Sequence, residues 1–264
     1  MTLVAATLLA ALRSTPALAD FGSILFYWVD FLAVLAATFV SLRWVDGNDW
    51  SFVLLARHSA TPAKLAGGFL LGMLAIGIPS AILLVANELR LVPAPSGNWL
   101  VATAKTALLL LPAAAAEEFL MRGYIFSVLR ETIGWKTTLI VTSIVFGLLH
   151  FRNPGADPEN IMVVIIAGFF LGTILLATGS LYAAWMAHFA WNWTMAAGLH
   201  TSVSGLGVSA PNYHVVDNGA AWLTGGTWGP EGGLAAALGM FAFLFYLHAR
   251  YRTRLQGANA RRQV

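Results

Sequence analysis

The chain has 264 residues, 58% of them hydrophobic and only 10% charged, against about 25% charged in soluble domains, so its apolar surplus has to face lipid. A net charge of +3, with the basic residues at loop ends and in the tail, gives no reason to expect nucleic acid as a partner. The absence of cysteine excludes disulfides, cysteine-ligated zinc and thiol catalysis. Apolar segments follow one another too closely for a soluble domain to fit between them, so residues 1–264 read as one membrane-embedded domain.

The first run, TLVAATLLAAL, has the length of a signal peptide, and Ala17-Leu18-Ala19 before Asp20 resembles a cleavage site. No Lys or Arg precedes the run and Arg13 interrupts it, so an uncleaved interfacial or first membrane helix is expected instead. Apolar segments able to cross or nearly cross a hydrocarbon core follow at about 21–43, 65–87, 99–130, 137–151, 160–178, 180–199 and 233–250. That is seven, or eight if the N-terminal run also crosses. Lipid cannot satisfy backbone polar groups and these runs are too long for barrel strands, so an all-α transmembrane bundle is expected.

Within it, 99–130 would extend about 48 Å as one helix, against a core of about 30 Å. Pro112 removes a helix hydrogen bond and predicts a kink or a new helix start there. With the C-terminus inside, one side holds Arg43, Arg57, Lys64, Arg130, Lys136, Arg250, Arg252, Arg254, Arg261 and Arg262; the other holds Arg13, Arg90, Lys105 and Arg152. The bias predicts a cytoplasmic tail in a bacterial inner membrane. The connection 200–232 then lies outside, has no Lys or Arg, and reads as a long irregular loop or a lid.

Nothing about membrane solubility calls for Glu117, Glu118 and Arg122 inside TALLLLPAAAAEEFLMRGYIFSVL, and ionisable groups at bilayer depth are functional by default. Residues four apart share a helix face, so Glu118 meets Arg122 while Glu117 points elsewhere. Glu117 is thereby left to project into the bundle as a free, desolvated carboxylate suited to acid–base work. The alternative is a purely structural charge network. His188 and Asn192 are also four apart and present two donors on one face, although a lone membrane His is often just an interhelical hydrogen bonder. His150 closes its helix four residues after Phe146, which can seat the imidazole. Counting 1.5 Å per residue from the cytoplasmic ends puts Glu117 at about 20 Å, His150 at about 22 Å, His188 at about 12 Å and Asn192 at about 18 Å, so all four can meet in one layer. His58 and His248 read as interfacial anchors, and His200 and His214 as loop residues.

The set EEFLMR, FGLLH and HFAWN resembles the EExxxR, FxxxH and HxxxN motifs of the Abi or CPBP family of intramembrane proteases, which includes the type II CAAX prenyl endopeptidases and bacteriocin self-immunity proteins. The resemblance covers about 110–195. It implies hydrolysis of a peptide bond in a membrane-anchored protein or peptide at the lipid bilayer, with or without recognition of a prenyl group. In that scheme Glu117 activates water with help from His150, His188 and Asn192 stabilise the oxyanion, and Glu118 and Arg122 orient the site. Glu117, His150 and His188 could also ligate Zn²⁺ and leave a water position open. The spacing lacks HExxH and a metal-free water fits as well, so chemistry that requires no cofactor is preferred here. Competing readings are a proton-coupled transporter, whose coupling site needs similar residues, and an immunity or scaffold protein with an inactive site. The absence of paired broken helices in matching halves disfavours the transporter, and the complete motif set disfavours the inactive site.

Overall fold

The computed structural model describes residues 16–207 and 211–257, so the N-terminal apolar run before Pro16 lies outside the described residues. The chain is an all-α bundle. Helix α1 spans Pro16–Val40 and continues as a wide π turn over Ser41–Val45; α2 is Pro62–Val85 and α3 is Trp99–Glu118. A second π segment, Phe119–Gly123, leads into α4, Tyr124–Ile133. Then come α5 (Trp135–Leu149), α6 (Pro158–Thr178), α7 (Leu181–Trp193, extended by a π segment over Thr194–Leu199) and α8 (Leu234–Gly257). The helix starts follow the local chemistry, since Thr61, Asn98, Asp157 and Ser180 each accept a backbone N–H of the first turn through their side chains.

Seven or eight crossings were expected; five of the described helices are long and apolar enough to cross a membrane. The two exceptions are α5 and α7, of 15 and 13 residues. Helix α5 extends only about 22 Å, less than a hydrocarbon core of about 30 Å, whereas α7 with its π segment runs from Leu181 to Leu199 and is set apart by the polar residues His188 and Asn192. Helix α7 carries His188 and Asn192, and α5 ends directly before His150.

Close approach of small residues holds α7 in place. A Cβ on Gly68 would lie 2.2 Å from the Ala183 carbonyl oxygen, and one on Gly72 would lie 1.9 Å from that of Ala187. Each glycine thus lets the α2 and α7 backbones touch where lipid supplies no hydrophobic drive for association. Gly72→Ala should push α7 outward, lower stability by about 1–3 kcal/mol as overpacking does, and show as a lower melting temperature in detergent. An unchanged melting temperature would mean that the contact is not tight.

Pro112 does not break its helix. It lies buried within α3, and the Leu108 carbonyl that its missing N–H would have bonded accepts the Trp28 indole N–H at 3.1 Å. The irregularity falls instead at Phe119–Gly123, directly after the Glu pair, in the kind of π segment often found at functional sites.

At one end of the bundle, Ser180 donates to the Ser59 carbonyl at 2.6 Å and Leu181 N–H to Leu54 O at 3.1 Å. At the other end the described residues of the 200–232 connection include regular structure that an irregular loop would lack. Its strand β2, Tyr213–Asp217, pairs antiparallel with β1, Leu89–Pro93, with Leu89 opposite Asp217 and Pro93 opposite Tyr213. Short helical turns follow at Ala221–Thr224, Gly226–Trp228 and Pro230–Gly232. The pairing joins segments more than a hundred residues apart, and no local pattern signals it.

Candidate active site

The Glu118 and Arg122 side chains are completely buried, 0% and 1% exposed, with Arg122 Nη1 2.8 Å from Glu118 Oε1. Arg122 also donates from Nη2 to Gly168 O at 3.2 Å and lies 4.2 Å over the Phe146 ring. Two charges without water are tolerated because each is held by several partners. The same Glu118 oxygen lies 3.0 Å from His188 Nδ1. A carboxylate here can only accept, so Nδ1 carries the proton and Nε2 is aimed away from Glu118. Glu118 is therefore a joint between α3 and α7, a contact that helix spacing could not reveal.

His150 is seated as its spacing suggested. Its Nδ1 lies 2.8 Å from the Phe146 carbonyl oxygen and its ring centroid 4.9 Å from that of Phe146. The carbonyl fixes the tautomer again, so Nδ1–H donates and Nε2 is left to face Glu117. His188 meets the other side of this aromatic hub, its ring 5.9 Å from Phe146 in an edge contact.

Both Nε2 atoms converge on Glu117, with His150 Nε2 and His188 Nε2 each 3.9 Å from Glu117 Oε2. That oxygen is buried and has no hydrogen-bond partner. The side chain as a whole is 43% exposed, so Glu117 is less desolvated than the sequence reading expected. Tyr27 and Asp30 of α1 lie near enough to interact with its charge.

Beside the two histidines is a cavity of about 30 Å³, lined also by Asn192, Phe146, Trp191, Ser204 and Glu231. It has room for one or two waters and none for a peptide. Glu117, His150 and His188 are thus brought together, and Asn192 joins the two histidines at the cavity wall. His200 stays apart, stacked on Tyr213 at 4.3 Å.

Three acceptors facing one another leave a space that only a proton donor or a cation can fill. Among the described residues no group of three or more His, Asp or Glu is arranged to hold a metal ion, and 3.9 Å exceeds the roughly 3.4 Å between donors that share a tetrahedral zinc with bonds of about 2.1 Å. The chemistry of the set, with each imidazole fixed through Nδ1, nonetheless suits zinc as well as water.

Two acidic residues escaped the sequence reading. Glu231, 8% exposed, reaches the cavity from the outer connection, where no periodicity marks a residue as inward-facing. Asp30 interrupts the apolar α1, and the rule that singled out Glu117 would have found it.

No curated protein and no solved structure matches this chain. Residues 98–194 match the family model described as Rce1-like, type II CAAX prenyl endopeptidase. The matched segment runs from the cap of α3 to just past Asn192 and contains every residue of the three motifs. Over residues 98–194, then, this membrane-helix bundle is similar to the Rce1-like type II CAAX prenyl endopeptidases, a family of membrane proteases, as the Abi or CPBP motifs had indicated.

Proposed function

We propose that this protein is an intramembrane endopeptidase that cleaves a peptide bond in a membrane-anchored, CAAX-type protein or peptide with water activated at Glu117. The observation that carries the reading is the buried, unpartnered Glu117 Oε2, equidistant from two imidazole nitrogens whose protons are committed elsewhere. A water in that space donates one proton to Glu117 and another to an Nε2, which leaves a lone pair for attack on the substrate carbonyl. As the C–O bond forms, Glu117 takes the proton and the carbonyl oxygen becomes an oxyanion. The Asn192 carboxamide donates to it, as does His188 when protonated at both nitrogens. The proton then passes from Glu117 to the leaving amine as the C–N bond breaks. Glu118 and Arg122 position His188 and carry no step themselves. If zinc is bound, Glu117, His150 and His188 are the residues that hold it, and it supplies Lewis-acid activation of the water. Metal-free chemistry remains our preferred form. In this reading the protein sits in a bacterial inner membrane with its C-terminus on the cytoplasmic side, an orientation that the basic-residue bias supports.

The test is cleavage of a panel of membrane-anchored peptides, with and without a C-terminal prenyl thioether, by the purified protein. Asn192→Ala should lower kcat about 10²–10³-fold and leave KM within a few-fold, as loss of an oxyanion donor does. Folded wild type that cleaves no member of the panel would sink the protease reading. Elemental analysis decides the cofactor, since stoichiometric zinc in active wild type that is lost in His188→Ala would overturn the metal-free form.

A further inference from the structure

Glu231 is the one carboxylate of the cavity wall that the proposed chemistry does not use. It sits in a short helical turn of the outer connection, yet it is buried and fully engaged. Its Oε2 accepts the Trp191 indole N–H at 2.8 Å. Its Oε1 accepts both the Ser204 backbone N–H and the Ser204 hydroxyl, the latter at 2.7 Å. Ser204 is gripped a second time, because Asn153, three residues after His150, donates from Nδ2 to the Ser204 carbonyl at 3.0 Å.

Each oxygen of Glu231 accepts an N–H, one from Trp191 and one from Ser204, and the Ser204 hydroxyl adds a third bond, an arrangement that a carboxyl group satisfies and an amide does not. An amide side chain would place an N–H against one of these N–H donors. The joined elements are those that shape the site, since Trp191 precedes Asn192 on α7 and Asn153 ends the turn that begins at His150. Ser204 and Glu231 are themselves cavity wall. A cavity of about 30 Å³ admits water and not a peptide, so part of its wall has to move for a substrate to enter it, and Ser204 and Glu231 are the part supplied by the outer connection.

We propose that Glu231 is a latch and positioning residue of the hydrolytic site, its carboxylate tying Trp191 on α7 to Ser204 so that the outer connection closes the cavity and the Asn192 face is held in place. This deepens the protease reading and rests on it for the catalytic part, while the closure itself can be measured without activity.

The chain contains no cysteine, so Ala167→Cys puts a single thiol in the cavity wall. Its rate of modification by a water-soluble methanethiosulfonate reports opening. Glu231→Gln in that background should raise the rate by about tenfold or more, as expected for the loss of a hydrogen bond to a charged group. The glutamine amide then faces the Trp191 indole N–H, donor to donor. Trp191→Phe cuts the same tie from the α7 side and should give a comparable rise, with the double variant opening no further than either single one, a non-additivity that general loosening of the fold would not give. On a cleaved peptide, Glu231→Gln should lower kcat more than it changes KM. If Glu231→Gln does not fold, Ser204→Ala, which keeps the backbone bond and loses the hydroxyl, should show a smaller rise in labelling. Labelling within about twofold of the parent in either folded variant would overturn the latch, that change being smaller than one such bond provides. Faster labelling in a protein that cleaves nothing keeps the latch and removes the protease reading.

Discussion

Glu117→Gln should abolish cleavage while the protein still folds. The amide keeps the size of the side chain but cannot take a proton from water, and loss of a general base lowers rates by about 10²–10⁴-fold. The loss should be larger if the same group also holds the water. The bundle should tolerate the change because Glu117 is 43% exposed and makes no hydrogen bond through its buried oxygen, so no network collapses with it. The measurement is kcat on a cleaved peptide together with the melting temperature in detergent. Near-normal turnover would remove Glu117 from the mechanism.

Arg122→Ala should act in the opposite way, on the fold first. It strips Glu118 of its partner at 2.8 Å, leaves the Gly168 carbonyl without its donor and empties the face of Phe146. Removing one member of a buried ion pair typically destabilises by about 3–5 kcal/mol, because the other charge stays buried and unpaired. Activity should fall with stability, since Glu118 also holds His188 and Phe146 holds both histidines. A variant that melts like wild type would show that the Glu118 charge is satisfied without Arg122.

The contrast between these variants follows from one dipeptide. Adjacent residues on a helix point about 100° apart, so the sequence already separates a paired Glu118 from an unpaired Glu117. The ladder EExxxR was legible because both partners lie on one turn of one helix. The seat of His150 on Phe146 was legible for the same reason, their separation being one turn of α5. Where two helices are involved, spacing is silent. That His188 binds Glu118 through Nδ1, and so turns Nε2 toward Glu117, depends on how closely α7 can approach α3. That approach is set in part by Gly68 and Gly72 on a third helix.

The sequence by itself determined the solvent, the helical class of the fold and the polar set carried by the three motifs. Long apolar runs in lipid must be helical, because only a helix satisfies its own backbone there, and charges inside such runs must find partners. The tertiary structure decided what those local rules cannot reach. The missing hydrogen bond of Pro112 is a local fact that predicts a break; Trp28, from another helix, takes up the freed carbonyl and the helix continues. The pairing of β1 with β2 and the arrival of Glu231 at the cavity are contacts between distant segments. Their energies depend on separations in space that no periodicity along the chain encodes, which is why the candidate residues of the three motifs could be named from sequence while Glu231 on the cavity wall could not.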